Sequence, residues 1–459
     1  MLSTREFAKK HDALVLTDFN DCSMNVQLTP EDEPLLMQDK EDDEDKQKKT
    51  EMAKKLAIAS APATKVLFLD GIRGLAAMLV ISKHTGEYMD DIDFGKIAVD
   101  VFFVLSSFLL TWIFMKKSFR MLNQGAGIRT WVFALADYFS RRFFRVYPLF
   151  ATICVTLWFM DDEVKLRYFL ITKPETYSLF KTLTFDVQSR YFVFWTLPLE
   201  IAYYFIIPVF VLGTLLLRKF WWVPFIPAYF WVVIEGCNEM RTDHQEMRIH
   251  LPTFVAGSMA AVLYFKLDTW IKANNFYYRF IHKLILRTIE YLALAVFLSL
   301  AFVGLFFIWV HENPVKQTEG APFVSVLMTI VLVCEMLLPS PLSLMLEWSF
   351  LRYWGKISFS AYLLQGLVIY NGRVTSQPNY YCRLFSRYGL ICMLATASYH
   401  LIEHPSQLLA QRITKALNEQ EAKGSGGLTV LLGKWANPLR VLADGWIAVQ
   451  KARASGECI

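Results

Sequence analysis

The chain is 459 residues long, 54% hydrophobic and 15% aromatic, with a mean hydropathy of +0.32, too apolar for a soluble protein of this size. Its net charge of +5 is too small to argue for nucleic-acid binding, and no alternating strand-turn pattern supports an outer-membrane barrel. Seven scattered cysteines, Cys22, Cys154, Cys237, Cys334, Cys382, Cys392 and Cys458, lack metal-ligand or paired spacing, so neither a metal site nor a disulfide framework is expected.

Residues 1–65 are polar, carry the acidic then basic run EDDEDKQKK, and are expected to form a disordered cytosolic tail. The first forty residues contain no apolar core of a signal peptide. Glu31-Asp32-Glu33-Pro34-Leu35-Leu36 fits an acidic dileucine sorting pattern, a short match that chance often supplies. Ten apolar segments follow, at about 66–83, 97–115, 146–160, 192–217, 220–236, 251–267, 289–310, 322–340, 357–371 and 388–403. The loops at 116–145 and 266–288 are rich in lysine and arginine and belong on the cytosolic side. Those at 84–96 and 311–321 are acidic or nearly uncharged. The expectation is an all-α polytopic membrane protein of about ten transmembrane helices, with both termini cytosolic. A membrane domain over 66–412 is then followed by a cytosolic segment, 413–459, in which LTVLLGKWANPLRVLADGWIAVQKA suits an interfacial amphipathic helix.

The first apolar segment, LFLDGIRGLAAMLVISKH, carries Asp70, Arg73 and His84. At about 100° and 1.5 Å per residue, Arg73 and His84 share one helix face roughly 16 Å apart, with Asp70 on the same stripe. An ionisable side chain in hydrocarbon costs several kcal/mol unless it meets a partner or a wet cavity. The stripe therefore implies a polar path inside a helix bundle. The alternative is that Asp70 and Arg73 pair at the membrane surface.

Six blocks then follow in order: FLDGIRGLAAMLVISKH, AVDVFFVLSSFLLTWI, YFSRRFFRVYPLF, FWTLPLEIAYYFIIP, WGKISFSAYLLQ and SYHLIEHPSQ. Together they resemble the signature blocks of the membrane acyltransferase type 3 family, over residues 67 to about 412. The resemblance implies a ten-helix O-acyltransferase that takes an acyl group from acyl-coenzyme A. Arg73 and His84 match the family's arginine, ten residues, histidine pattern. The chemistry agrees: an alcohol is a poor nucleophile near neutral pH, and histidine is the side chain placed to take its proton. His84 would act as base or carry the acyl group itself.

Asp100 opens the second span at the depth of His84 and is a candidate to orient the imidazole; its alternative is a helix N-terminal acid favoured by the dipole. Glu200, entering the fourth span, is the second candidate, or a buried glutamate joining helices. Arg142 and Arg145 form an RxxR pair at the expected mouth of the third span. Arginine forks bind phosphates bidentately, and the resemblance places this pair, with Arg73, at the acyl-CoA site. Their alternative is a topology signal facing anionic lipid. Two departures stand out. Ser107 replaces a glycine of the FVLSGF block, and Gln365 stands where the family often has a histidine. Glu403 matches a family acid and reads as a partner for an arginine, while His400 and His404 show no metal-ligand pattern.

The resulting expectation is transfer of an acyl group, foremost acetyl, from acyl-CoA to a hydroxyl of a small-molecule metabolite, as in secondary-metabolite biosynthesis. Cell-surface or lumenal glycan acetylation is the alternative, and a proton-coupled transporter built on the Asp70, Arg73 and His84 stripe is the alternative from another class. Partners would be acyl-CoA, the acceptor and the lipid bilayer of a eukaryotic endomembrane or plasma membrane, with no nucleic acid and no metal. No internal similarity between the halves supports the transporter.

Overall fold

A computed structural model describes residues 66–87, 94–238, 245–301, 306–307 and 322–422. The expected N-terminal tail and the amphipathic segment after 422 lie outside the described residues. Every regular element among the described residues is helical. Taken in chain order, these are α1 (Leu67–Thr85), α2 (Phe94–Asn123), α3 (Ile128–Phe159), α4 (Asp162–Phe169), α5 (Leu179–Leu183), α6 (Thr196–Leu216), α7 (Trp222–Asn238), α8 (Met247–Ala273) and α9 (Phe280–Ala301). There follow α10 (Pro322–Leu337), α11 (Pro341–Leu346), α12 (Ser349–Leu364), α13 (Gly366–Ile369), α14 (Gly372–Thr375), α15 (Tyr380–Ser398) and α16 (His404–Ala422). A turn of π-helix, Tyr399–Glu403, joins α15 to α16, and a short 3-10 turn, Phe192–Trp195, leads into α6.

Each expected apolar segment overlaps a helix among the described residues, the one at 289–310 as far as Ala301, and four helical stretches, Ile97–Asn123, Ile128–Phe159, Phe192–Leu216 and Met247–Ala273, are long and apolar enough to cross a membrane. The expected basic loop at 116–145 is instead mostly helix: α2 runs on to Asn123 and α3 begins at Ile128. Its lysines, arginines, methionines and leucines are good helix formers, and the chain turns only at Gly125-Ala126-Gly127, where Gly125 takes φ +64°. Arg142 and Arg145 therefore sit midway along a continuous helix. The boundary expected at 412 likewise falls inside α16, which packs along α3 and is pinned by Thr414 donating to Asp137 Oδ1 at 2.6 Å. Asp137 also accepts from Lys117 and Arg141, at 2.8 and 2.7 Å.

The main core is built around α2, whose Val104, Phe108 and Met115 are fully buried against α1, α6, α8 and α10. A belt of exposed apolar residues, Phe159, Phe205, Val209 and Phe230 among them, lies on the outside of the helices, the arrangement of a protein whose solvent is lipid. The closest helix packing joins α1 to α12. A methyl group on Gly71 would meet Leu346 O at 1.7 Å, one on Gly74 would meet Leu351 O at 2.0 Å, and one on Gly355 would meet Asp70 O at 1.9 Å. Small residues let the two backbones touch, as membrane helices do where dispersion replaces hydrophobic driving force. The far end of α1 is held by α15. Tyr388 donates to Met78 O at 2.9 Å and shares a 2.6 Å hydrogen bond with Ser82, while Arg383 and Arg387 grip Glu87 at 2.9 and 3.0 Å.

Candidate functional site

The α1–α12 contact places two groups on one helix. Arg73 projects from the first half of α1, where its guanidinium donates to Ser358 Oγ on α12 at 3.2 Å and lies 4.0 Å from Asp70. Asp70 is thus a support for Arg73. Across from it, α3 delivers Arg142 and Arg145, and all three arginines line one cavity of about 100 Å³. Its other walls are largely apolar, with Phe102, Phe103, Leu109 and Tyr362 among them, and its further polar groups include Ser106, Glu200, Tyr204 and Ser358.

Three cations in one small space repel one another: Arg145 acts as a like charge on both Arg73 and Arg142. Beyond Asp70, the compensation comes from two further elements. Glu200, on the second turn of α6, accepts from Ser106 Oγ at 2.5 Å and is within electrostatic reach of Arg73 and Arg142. Glu403, on the π turn, is 4% exposed, accepts from Ser360 and Gln407 at 2.9 and 3.1 Å, and acts on Arg145 and Arg73. π turns are rare and concentrate at functional sites. Neither Arg142 nor Arg145 forms an ion pair within 4 Å among the described residues. The Nε of Arg142 is sealed from solvent and makes no hydrogen bond. A buried guanidinium nitrogen without an acceptor costs on the order of 1–3 kcal/mol, and an anionic ligand is the natural group to satisfy it.

His84 stands at the other end of α1, on its last turn. Its ring packs at 5.2 Å against Phe192, the first residue of the 3-10 turn, and Phe192 in turn meets Tyr370 at 5.8 Å. Its polar neighbour is Gln365, at the junction of α12 and α13. Arg73 and His84 are thus on one rigid helix, about 16 Å apart along its axis.

The predicted residues divide into two groups. Arg73, Arg142, Arg145 and Glu200 meet at the cavity; His84 and Asp100 are not among its lining residues. Glu200, expected beside His84, stands with the arginines instead, because the second turn of α6 meets α2 at Ser106. Asp100, 2% exposed on α2, lies 3.9 Å from Nδ1 of His250 on α8, whose ring is flanked by Phe103 and Trp195. Sequence reasoning missed His250, Tyr204, Ser106 and Ser358, whose residue types carry no distinctive spacing. It set Gln365 aside for departing from a pattern. Among the described residues no group of three or more His, Cys, Asp or Glu is placed to hold a metal ion.

A family model described as "Acyltransferase domain" matches residues 66–397. The chain is 34% identical over 94 residues to "Protein 2 in picA locus" of Rhizobium radiobacter, a match that covers 20% of this chain and 44% of that relative. The chain thus spans less than half the length of this curated relative. No solved structure matches.

Proposed function

The chain belongs to this acyltransferase family, and from that premise we propose that it transfers an acyl group, foremost acetyl, from acyl-CoA to a hydroxyl. The observation that carries the donor assignment is the arginine cavity, with three guanidinium groups converging and one buried nitrogen lacking an acceptor. Coenzyme A presents a pyrophosphate and a 3′-phosphate, and arginine forks match such groups bidentately. Arg73, Arg142 and Arg145 would hold these phosphates. The pantetheine arm would run along α1, because the rise of about 16 Å from Arg73 to His84 is comparable with its extended length.

At the thioester, His84 is the proposed base. It would take the acceptor hydroxyl proton as the oxygen attacks the acyl carbon, then return it to the departing thiolate. An acyl-histidine intermediate uses the same geometry. Asp100 would act from the His250 side of the bundle, and Glu200 as counter-charge to the arginines rather than as a partner of the base. The acceptor is proposed to be a small-molecule metabolite. A glycan, the usual acceptor of the family, is the other arm of the test. In this reading the ten apolar helices all span the membrane, with the arginine end cytosolic. A transporter has no need of an arginine cavity and leaves the family membership unexplained.

Membranes carrying the chain, incubated with radiolabelled acetyl-CoA, should move label into a metabolite fraction or a glycan fraction. His84→Ala should abolish the transfer while leaving the amount and insertion of the protein unchanged. Transfer that survives this substitution would overturn the assignment of the base, and solute flux without acyl transfer in vesicles would overturn the enzyme reading.

A further inference from the structure

Gln365 is fully buried, with no exposed surface, at the point where α12 ends and the chain breaks into α13. Its amide orientation is fixed by its own neighbour, since Nε2 donates to Tyr362 O at 3.1 Å. That leaves Oε1 as the atom turned to the other side, where it is sealed from solvent and accepts no hydrogen bond. The Nδ1 atom of His84 is in the same condition, sealed and without a partner. Among the described residues Gln365 is the polar group acting on the His84 ring. One acceptor and one ring nitrogen on neighbouring side chains are therefore both buried and both unsatisfied.

The surroundings hold both groups in place. Phe192 packs on the imidazole, and Gly366 lets the α12–α13 break approach Phe192 itself, since a methyl there would meet Phe192 Cε1 at 3.1 Å and Tyr168 O at 2.3 Å. Leaving two buried polar atoms unpaired is costly, and pairing the two side chains recovers both. Hydrogen bonds at catalytic sites are often long without substrate and tighten in the complex.

We propose that Gln365 is a positioning residue for His84: its Oε1 accepts the Nδ1–H, which holds the imidazole in the tautomer whose Nε2 carries the lone pair. This rests on the reading of His84 as the base. Nε2 then takes the proton of the acceptor hydroxyl as its oxygen bonds to the thioester carbon. The imidazolium keeps its Nδ1–H on Gln365. The carbon–sulfur bond breaks, and the thiolate recovers the proton from Nε2–H. A neutral acceptor orients the ring as a carboxylate would, without fixing a negative charge beside it.

The test uses the full chain with Gln365→Glu, an isosteric change, and Gln365→Leu. The first readout is the pH dependence of His84 carbethoxylation by diethylpyrocarbonate, followed by peptide mass spectrometry, which reports the neutral imidazole without any turnover. Glu at 365 should move its midpoint up by about one to three pH units, and Leu should move it down. The second is transfer from acetyl-CoA. Leu should lower kcat by about 10²-fold with little change in KM, while Glu should retain turnover with the acid limb of its pH profile displaced upward. An unmoved midpoint in Gln365→Glu would overturn the contact, and an unchanged kcat in Gln365→Leu would overturn the positioning role. If His84→Ala keeps its activity while the midpoint still moves in Gln365→Glu, the base assignment fails and the contact stands.

Discussion

Replacing Gly355, which does not line the cavity, by alanine should disable the enzyme from a distance. The added methyl would lie 1.9 Å from Asp70 O, whereas ordinary contact begins near 3.4 Å, and the obstacle is backbone rather than a movable side chain. Helix α1 must therefore withdraw from α12 by about 1.5 Å. Overpacking of this kind costs about 1–3 kcal/mol, and the withdrawal carries Arg73 and His84 together, since both ride on α1. A misplacement of about 1 Å costs on the order of 10²-fold in rate, so kcat/KM for label transfer from acetyl-CoA should fall by about that factor. The matched control is Gly213→Ala on α6, where a methyl meets nothing within 4 Å and alanine is the better helix former by roughly 1 kcal/mol. Its Tm should equal or exceed that of the parent in the same detergent. Parental transfer and Tm in Gly355→Ala would refute the reasoning.

Lysine should not replace arginine at 142 or 145: each of Arg142→Lys and Arg145→Lys should raise KM for acetyl-CoA by about tenfold with kcat nearly unchanged, because an ammonium cannot fork across a phosphate; initial-rate kinetics over a donor series decide this. Glu87 lies beyond the end of α1, where desolvation would raise its pKa but the hydrogen bonds and charges of Arg387 and Arg383 hold it below the ordinary value of 4.5. The stability it contributes is therefore present above pH 4.5 and lost as pH falls through the lower native value. Glu87→Gln should melt a few degrees below the parent at pH 7, and the gap should close as the pH falls past that point. Asp137→Ala should release α16 from α3, and limited trypsin digestion should then cut at Arg412 and Lys415 well before it does in the parent.

Much of the arginine centre was legible in the sequence because its chemistry is local: Arg142 and Arg145 share a helix face by spacing, and Arg73 shares a helix with His84. The all-helical character was legible from the apolar runs. The helical character of 116–145 was not, since charge density was read as loop although lysine and arginine are good helix formers. The side on which Glu200 acts was hidden too. Only the packing of α6 on α2 turns it to Ser106 and the arginines. Gln365 is far from His84 along the chain, and no periodicity joins them; the parallel course of α1 and α12 makes them neighbours, with Gly74 at Leu351, Arg73 at Ser358 and His84 near Gln365.

The π turn has a consequence for how the last part of the bundle is phased. Arg387, Ile391, Ala395, Tyr399 and Glu403 are all buried and follow one another at intervals of four residues. In an ideal α-helix each such step overshoots a full turn by about 40°, so the row would wander by about 160° over four steps. Widening one turn takes up one residue, worth about 100°, and keeps the row pointing inward. The phase of Glu403 is thus set by the length of the segment as much as by its letters. Removing His400, Leu401 or Ile402 would let the turn relax to ordinary winding with Glu403 still in register with the arginines, whereas removing one residue of α15 after Arg387 would rotate Glu403 by about 100°, even with every contacting side chain still encoded.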